Sequence, residues 1–304
     1  MILGLPDPAR LKRGLDVAAT LPARALATAK ARGSMSIRTE EVWLTTAAGY
    51  RVRAMVVEPD DREVRPALVL VPGRGKDSDT FVLGPYVVHA DELAARGWRT
   101  VCFDPVGRGR SWGHDDFCGS EGQDSLRATL DFTRRKRTVA PERIGVLSFS
   151  MGLALAARTL AQHGERQGVR FLVDWEGPAD RAAMLRTGAL PPAARTALAA
   201  DPEGFWARRE PIAWIDQLPC PYVRVQGRKD HAMGPRGIDG ALRLVTAAQR
   251  GTRAGLNTHP LGAPVDESTT GWAPDSAGGL HKVLLAHLTT LFADGGPVGQ
   301  KGSL

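Results

Sequence analysis

The sequence predicts an α/β protein whose mostly parallel, twisted sheet carries helices on both faces. Short apolar runs alternate with longer helical runs from about residue 66 to residue 293, a rhythm that is typical of a parallel sheet. Residues 66–71 form an uninterrupted apolar run, as expected for a strand buried on both faces. Residues 42–46 form a β-rich run, and after a turn around Gly49 residues 50–57 alternate arginine with apolar side chains, which predicts an antiparallel hairpin at the entrance to the fold.

The later strands are apolar runs that stop at turn-forming residues. They are expected at 98–103, 143–147, 169–175, 221–227 and 252–256. Helices are expected between and after them, at 87–96, 121–137, 236–249 and 279–293, with a further helix beginning near residue 152. Residues 179–216 break the rhythm, because they are helical but interrupted by prolines. We interpret residues 178–216 as a small helical cap inserted over the strand ends.

The domain organisation follows from these patterns. Residues 36–295 are expected to form one domain that includes the cap, followed by a tail at 296–304. Residues 1–35 are basic and alanine-rich, and we expect them to form a helical N-terminal extension or a loose one. A signal peptide is disfavoured there, because Asp16, Pro22 and Arg24 interrupt the apolar stretch that such a peptide requires. Docking of this extension to an acidic membrane surface stays open as a minor alternative.

Composition excludes several classes of function. The 304 residues are 43% hydrophobic and 24% charged, as in an ordinary globular protein. No apolar run approaches the roughly 18 residues of a membrane span, so stable membrane insertion is not expected. The net charge of +7 is scattered, and its one dense run, 134–137, ends a predicted helix where cations complement the dipole. Nucleic acid is therefore not an expected partner; a homodimer stays open.

The cysteines Cys102, Cys118 and Cys220 are too few for a disulfide framework, and none has the spacing of a metal site. A reduced, cytoplasmic location without metal or organic cofactor is expected. Cys102 lies in an apolar strand and is expected to be part of the core.

The most informative stretch is residues 143–157. An apolar strand ends in Ser148-x-Ser150-x-Gly152 and passes directly into an Ala/Leu-rich helix. This strand, tight turn and helix expose a serine hydroxyl on a strained bend. Small residues on either side allow strand and helix to approach closely. The backbone N–H of Met151 lies at a helix N-terminus, which is favourable for a developing oxyanion. Ser150 is therefore the candidate nucleophile.

In this order, the motifs of residues 40–295 resemble the α/β-hydrolase superfamily, especially its dienelactone-hydrolase-like and serine-aminopeptidase-like branches. The matching parts are the hairpin, the strand ending at 72–75, the loop 104–111, the Ser150 turn, Asp230 after its strand and a late histidine. The resemblance implies an α/β-hydrolase fold with a helical cap. Two positions depart from the usual pattern, since Pro72 replaces the common histidine and Ser148 replaces a glycine.

The resemblance also implies the remaining catalytic groups. Asp230 stands where the family places its acid, while Glu176, at the end of the preceding strand, is the alternative. His259 follows the last short strand and is the favoured base. His281, at the start of the final helix, is the alternative. His231 is disfavoured, because an acid and a base adjacent in sequence rarely point at one another; His114 is a remote candidate.

By the same resemblance, the backbone N–H of Arg74 joins that of Met151 in the oxyanion hole. The Arg74 side chain could also meet an anionic substrate. The expected function is a serine hydrolase that cleaves a small-molecule ester, thioester or amide through an acyl-enzyme. A carboxylesterase is favoured, with peptidase and carbon–carbon hydrolase chemistry open. The alternative is a non-catalytic binding or regulatory protein that retains the hydrolase fold.

Overall fold

Eight strands form one sheet in the computed structural model, which describes residues 35–84, 87–268, 270–273 and 277–293. The strands are β1 (Ile37–Thr45), β2 (Arg51–Pro59), β3 (Arg65–Val71), β4 (Arg99–Phe103), β5 (Val139–Phe149), β6 (Val169–Trp175), β7 (Tyr222–Val225) and β8 (Ala254–Leu256). Their order across the sheet is β1-β2-β4-β3-β5-β6-β7-β8. Strands β3 to β8 pair parallel with one another, whereas β2 pairs antiparallel with both β1 and β4.

From β3 onward, helices lie between successive strands, as the alternation of strand and helix patterns in the sequence predicts. They are α1 (Asp79–Val82), α2 (Ala90–Ala95), α3 (Ser120–Arg135), α4 (Gly152–His163), α5 (Arg181–Arg186), α6 (Pro192–Ala200), α7 (Pro202–Ala207), α8 (Gly237–Ala248) and α9 (Ala277–Ala293). Among the described helices, none combines the length and the apolar character needed to span a bilayer.

The core lies on both faces of the sheet. Successive side chains of a strand point to opposite faces, and β3 shows the result. Val69 and Val71 belong to one buried cluster, whereas Leu68 and Leu70 belong to the other. All four side chains are fully buried. This two-sided burial explains why β3 is a continuous apolar run rather than an alternating one.

The segment between β6 and β7 is helical. It contains α5, α6 and α7, followed by two short 3-10 turns at Pro211–Ala213 and Ile215–Gln217. The buried Arg209 ties this segment to the loop before α3, because its guanidinium donates to the carbonyl oxygens of Phe117 (3.1 Å) and Asp116 (2.9 Å). Trp206 packs into the core with 5% of its surface exposed, so it serves cap-to-body packing.

Two regions of the predicted domain organisation cannot be compared with the structure. Residues 1–34 of the predicted extension, and the predicted tail at 296–304, lie outside the described residues.

Candidate active site

The turn between β5 and α4 carries Ser150 in a strained backbone conformation. Its φ is 50°, in the left-handed region that residues with a side chain seldom adopt. The Ser150 N–H donates to the carbonyl oxygen of Trp175 at 2.8 Å, which ties the turn to the neighbouring strand β6. A Cβ atom at Gly152 would lie 2.7 Å from the carbonyl oxygen of Val71, so the close approach of helix and strand requires glycine.

His231 is the histidine that the fold brings to Ser150. Its Nε2 lies 2.8 Å from Ser150 Oγ, and its Nδ1 lies 2.8 Å from Glu176 Oε2. Because a carboxylate only accepts, Nδ1 carries the proton and Nε2 presents its lone pair to the serine hydroxyl. The imidazole stacks on the Trp175 ring, with the ring centroids 5.4 Å apart and the planes 25° apart.

Glu176 is a buried carboxylate at the end of β6. The residue also has a left-handed backbone, with φ 50°. Its Oε1 accepts from the N–H of Gly227 at 3.0 Å, and its Oε2 accepts from the backbone N–H of His231 at 3.1 Å. Only 1% of its side chain is exposed. These bonds hold the carboxylate in one orientation toward the imidazole.

Asp230, the favoured acid of the sequence analysis, does not make the hydrogen bond to the imidazole. Its Oδ1 lies 3.9 Å from His231 Nδ1 and accepts instead from the N–H groups of Ala232 and Met233, both at 2.8 Å. The alternative acid, Glu176, makes the contact that was expected of Asp230.

The two favoured histidines are not brought to Ser150. His259 lies in the turn after β8, where its Nε2 is 2.9 Å from the carbonyl oxygen of Pro264. His281 lies on α9, where its Nε2 is 2.8 Å from Glu92 Oε2 on α2. Both rings are therefore engaged elsewhere, and the structure corrects the expectation that one of them contacts the nucleophile.

His231 is disfavoured in the sequence because it is adjacent to Asp230, and its ring does not hydrogen-bond that carboxylate. The partner of its Nδ1 is Glu176, which follows the neighbouring parallel strand. Considering Glu176 together with His231 would have made His231 a stronger candidate for the base. The remaining candidate, His114, lies exposed in the loop between β4 and α3.

The surroundings of His231 favour its protonated form. Burial lowers the pKa of the imidazole, but the hydrogen bond that Nδ1 donates to Glu176 and the charges of Asp230 and Glu176 outweigh this effect. The pKa of His231 is therefore raised above its ordinary value. A raised pKa makes the ring a stronger acceptor for the serine proton.

The backbone N–H groups of Met151 and Arg74, the expected oxyanion donors, follow the adjacent strands β5 and β3. Met151 caps the N-terminus of α4, and Arg74 follows the end of β3. Within the described part of the chain, neither N–H donates to another backbone carbonyl. The loop that carries Arg74 is held by Arg108, whose Nη1 donates to the carbonyl oxygen of Gly73 at 3.0 Å.

The Arg74 side chain joins this loop to the connection between α5 and α6. Its guanidinium donates to Thr187 Oγ1 at 3.1 Å and to the carbonyl oxygen of Ala189. It also lies over the ring of Phe117, 5.2 Å from the centroid. These contacts join the loop after β3 to the helical segment and to Phe117.

Glu176, Asp230 and His231 bring three donor atoms within 4.8 Å of one another, close enough to share a metal ion. Each of these side chains already bonds N–H or O–H groups, as described above, and the geometry is that of a hydrogen-bonded relay. We therefore interpret the cluster as an acid–base site rather than a metal centre.

No family model matches the chain, and no curated protein matches it in sequence. Solved structures do match its fold. The Pyrococcus furiosus esterase Pf2001 aligns over 84% of this chain and 91% of its own, with a TM-score of 0.59 and 15% identity. A puromycin hydrolase aligns over 87% of this chain and 42% of its own, with a TM-score of 0.62 and 17% identity.

Porphyromonas gingivalis dipeptidyl peptidase 4 aligns over 84% of this chain but only 35% of its own, with a TM-score of 0.60 and 16% identity. This chain therefore spans well under half of the two larger neighbours, and nearly all of the esterase. These neighbours share the α/β-hydrolase architecture. With its eight-stranded, mostly parallel sheet and its serine-bearing turn after β5, the protein has the α/β-hydrolase fold, as the sequence predicted.

Proposed function

We propose that the protein is a serine hydrolase that cleaves a carboxylic ester through an acyl-enzyme, with Ser150 as nucleophile, His231 as base and Glu176 as acid. The observation that carries the proposal is the relay in which His231 bonds Ser150 Oγ and Glu176 Oε2, each at 2.8 Å. A serine hydroxyl becomes a useful nucleophile when a histidine accepts its proton and a carboxylate orients that histidine.

In the first half-reaction, Ser150 Oγ attacks the carbonyl carbon while its proton passes to His231 Nε2. The carbonyl oxygen becomes an oxyanion, which the N–H groups of Met151 and Arg74 stabilise. When the oxyanion collapses, the bond to the leaving alkoxide breaks, and the alkoxide takes the proton from Nε2. The products of this half are an alcohol and an acylated Ser150.

In the second half-reaction, water attacks the acyl carbon and gives its proton to His231 Nε2. Collapse of the new oxyanion breaks the bond to Ser150 Oγ, which takes the proton back, and the carboxylic acid leaves. Glu176 stays ionised throughout, keeps the proton of His231 on Nδ1 and stabilises the imidazolium.

The neighbours support a hydrolase in general, because two of those compared are described as an esterase and a puromycin hydrolase. An ester is the favoured substrate because it is the easiest of these acyl bonds to cleave, while amide and thioester cleavage use the same groups. The non-catalytic alternative rests on the unsettled choice of histidine and on Pro72 in place of the common histidine. The contact between His231 and Ser150 argues against the first of these two reasons.

The test uses Ser150→Ala and His231→Gln with a short-chain activated ester such as 4-nitrophenyl acetate. Each variant is expected to lose at least about a thousand-fold in kcat, because removing either group breaks the relay. Matched controls are His259→Gln and His281→Gln, whose rings bond elsewhere and whose loss should change kcat less than about three-fold.

A fluorophosphonate probe gives a readout that needs no knowledge of the substrate. Labelling should occur in the wild-type protein and be absent in Ser150→Ala. Full esterase activity or unchanged labelling in Ser150→Ala would contradict the proposal. Activity lost in His259→Gln but kept in His231→Gln would assign a different base.

A further inference from the structure

Asp230 is a second carboxylate beside the catalytic imidazole, and the relay does not use it. Its side chain is 2% exposed, and its Oδ1 lies 3.9 Å from His231 Nδ1, beyond hydrogen-bond distance. A negative charge at this distance still favours a positive charge on the ring. Glu176 Oε2 occupies the hydrogen-bonding position, at 2.8 Å.

The same carboxylate organises the turn that carries His231. Its Oδ1 accepts from the backbone N–H groups of Ala232 and Met233, which directly follow the histidine. The backbone of Asp230 also pairs with Gly234, whose N–H donates to the Asp230 carbonyl oxygen at 2.9 Å. His231 therefore lies in a turn whose backbone is fixed by the side chain that precedes it.

Buried groups beneath the turn hold the carboxylate in place. Gln226 Nε2 donates to Asp230 Oδ2 at 3.2 Å, and Arg224 lies 4.0 Å from the same oxygen. A Cβ at Gly237 would lie 2.5 Å from the Cβ of Asp230, so α8 begins in close contact with this side chain. This support would be unnecessary for a solvated turn carboxylate.

We propose that Asp230 is a positioning residue for His231, whose carboxylate fixes the turn that carries the imidazole and supplies a second negative charge beside it. The effect of Asp230 on the turn and on the charge beside the ring is independent of catalysis. Its effect on turnover rests on the proposed hydrolase function. The charged and titratable groups that face the ring are Glu176 at the end of β6, Arg224 on β7, Asp230 itself and Ser150 at the turn after β5.

Asp230→Asn tests the charge, since the amide oxygen can still accept from the same N–H groups. Removing a negative charge near an imidazole lowers its pKa, so the pKa of His231 should fall by about 0.5–1 unit, a modest value because 38% of the side chain is exposed. The measurement is an NMR titration with labelled histidine. The protein contains seven histidines, and His231→Gln identifies the resonance.

Two further variants make the titration decisive. Asp201→Asn removes another carboxylate that accepts a backbone N–H, from Gly204 at 2.9 Å, but in the helical segment between β6 and β7. It should leave the titration of His231 unchanged. Asp230→Ser replaces the carboxylate by a neutral hydroxyl that can still cap the turn. It should reproduce the shift and serves as the second variant should Asp230→Asn fail to fold.

The pH dependence of kcat/KM provides a second readout. Its ascending limb would stay at the same pH if Asp230 had a merely structural role. Because His231 must be neutral to accept the serine proton, the ascending limb of kcat/KM against pH follows its pKa. In Asp230→Asn this limb should move to lower pH while the plateau falls, because the imidazolium loses stabilisation. A role limited to holding the turn would lower the plateau without moving the limb.

The outcomes separate the two proposals. A shifted titration in both Asp230 variants, absent in Asp201→Asn, supports the positioning role. An unchanged titration in a folded Asp230→Asn protein overturns it. If no ester is turned over and no probe labels Ser150, the hydrolase function fails, while the titration still decides whether Asp230 acts on His231.

Discussion

Ser150, Glu176 and His231 follow three strands that are neighbours in the sheet, β5, β6 and β7. The C-terminal ends of parallel strands lie along one edge, and this edge is where ligands bind in open α/β sheets. Trp175 pairs in register with Val225, so the residues that follow β6 and β7 begin side by side. This register explains why Glu176 reaches both the backbone and the ring of His231.

The proposed role of Glu176 as the acid leads to a prediction about pH and rate. The pKa of His231 is raised, so the ascending limb of kcat/KM for the wild-type protein should have its midpoint above about 6.5. Glu176→Gln should lower kcat by about 10²- to 10⁴-fold, because the amide can donate to Nδ1 and favour the wrong tautomer.

The same substitution should move the ascending limb to lower pH, since the carboxylate no longer favours the imidazolium. The measurement is kcat/KM for an activated ester between pH 5 and 9. The matched control is Glu210→Gln, whose carboxylate bonds Arg181 in the helical segment. An unchanged profile in Glu176→Gln would show that another carboxylate orients the ring.

At the scale of elements, the turn after β5 depends on the approach of α4 to the end of β3. The Gly152 Cα faces the carbonyl oxygens of Val71 and Pro72, at distances that leave no space for a Cβ. The other small residue, Ser148, is buried, and its hydroxyl donates to Asp174 Oδ1 at 3.3 Å. Serine is accepted here because its added hydroxyl finds a partner in β6.

Gly152→Ala should therefore destabilise the protein, although alanine is the better helix former. The added Cβ would overlap the Val71 carbonyl oxygen, 2.7 Å away, and such overpacking costs about 1–3 kcal/mol. The matched control is Gly278→Ala in α9, where a Cβ meets nothing within 4 Å and alanine should stabilise by up to about 1 kcal/mol.

Urea unfolding measures both effects, and fluorophosphonate labelling reports whether the turn keeps its geometry. Equal free energies of unfolding for Gly152→Ala and the wild type would contradict the close approach that we describe.

At the scale of the whole molecule, a buried polar network lies between the strands beneath the site. Arg224 on β7 bonds Asp174 on β6, and its Nη1 also donates to the carbonyl oxygen of Gly177 at 2.7 Å. Tyr222 Oη donates to Asp174 at 3.2 Å. Burial raises the pKa of Asp174, and the Arg224 charge opposes that rise. The network couples β6 and β7, the strands that Glu176 and His231 follow.

Arg224→Met should leave Asp174 as a buried carboxylate without its cation, and the free energy of unfolding should fall by about 3–5 kcal/mol at neutral pH. The loss should shrink as the pH is lowered, because protonation removes the unpaired charge. Arg208→Met is the control, since its pair with Asp201 is 40% and 56% exposed and such surface pairs contribute about 0–1 kcal/mol. Similar losses in both variants would contradict this account.

Local patterns in the chain were sufficient for the order of the elements, the hairpin, the helical segment between β6 and β7 and the position of Ser150 on the turn after β5. Periodicity and turn residues are local properties of the sequence. The turn at Ser150 is likewise indicated by the residues directly before and after it. Glu176 was also recognised, as the alternative acid, because it ends a strand.

The contact between Glu176 and His231 was decided by the tertiary structure. Glu176 and His231 are 55 residues apart in sequence, and their contact depends on the register of β6 against β7, which no local pattern encodes. His259 and His281 lie late in the chain, where a catalytic histidine was expected. Their rings, however, bond the carbonyl oxygen of Pro264 and the carboxylate of Glu92. A histidine becomes a base through the atoms that face its two nitrogens, and folding brings those atoms together.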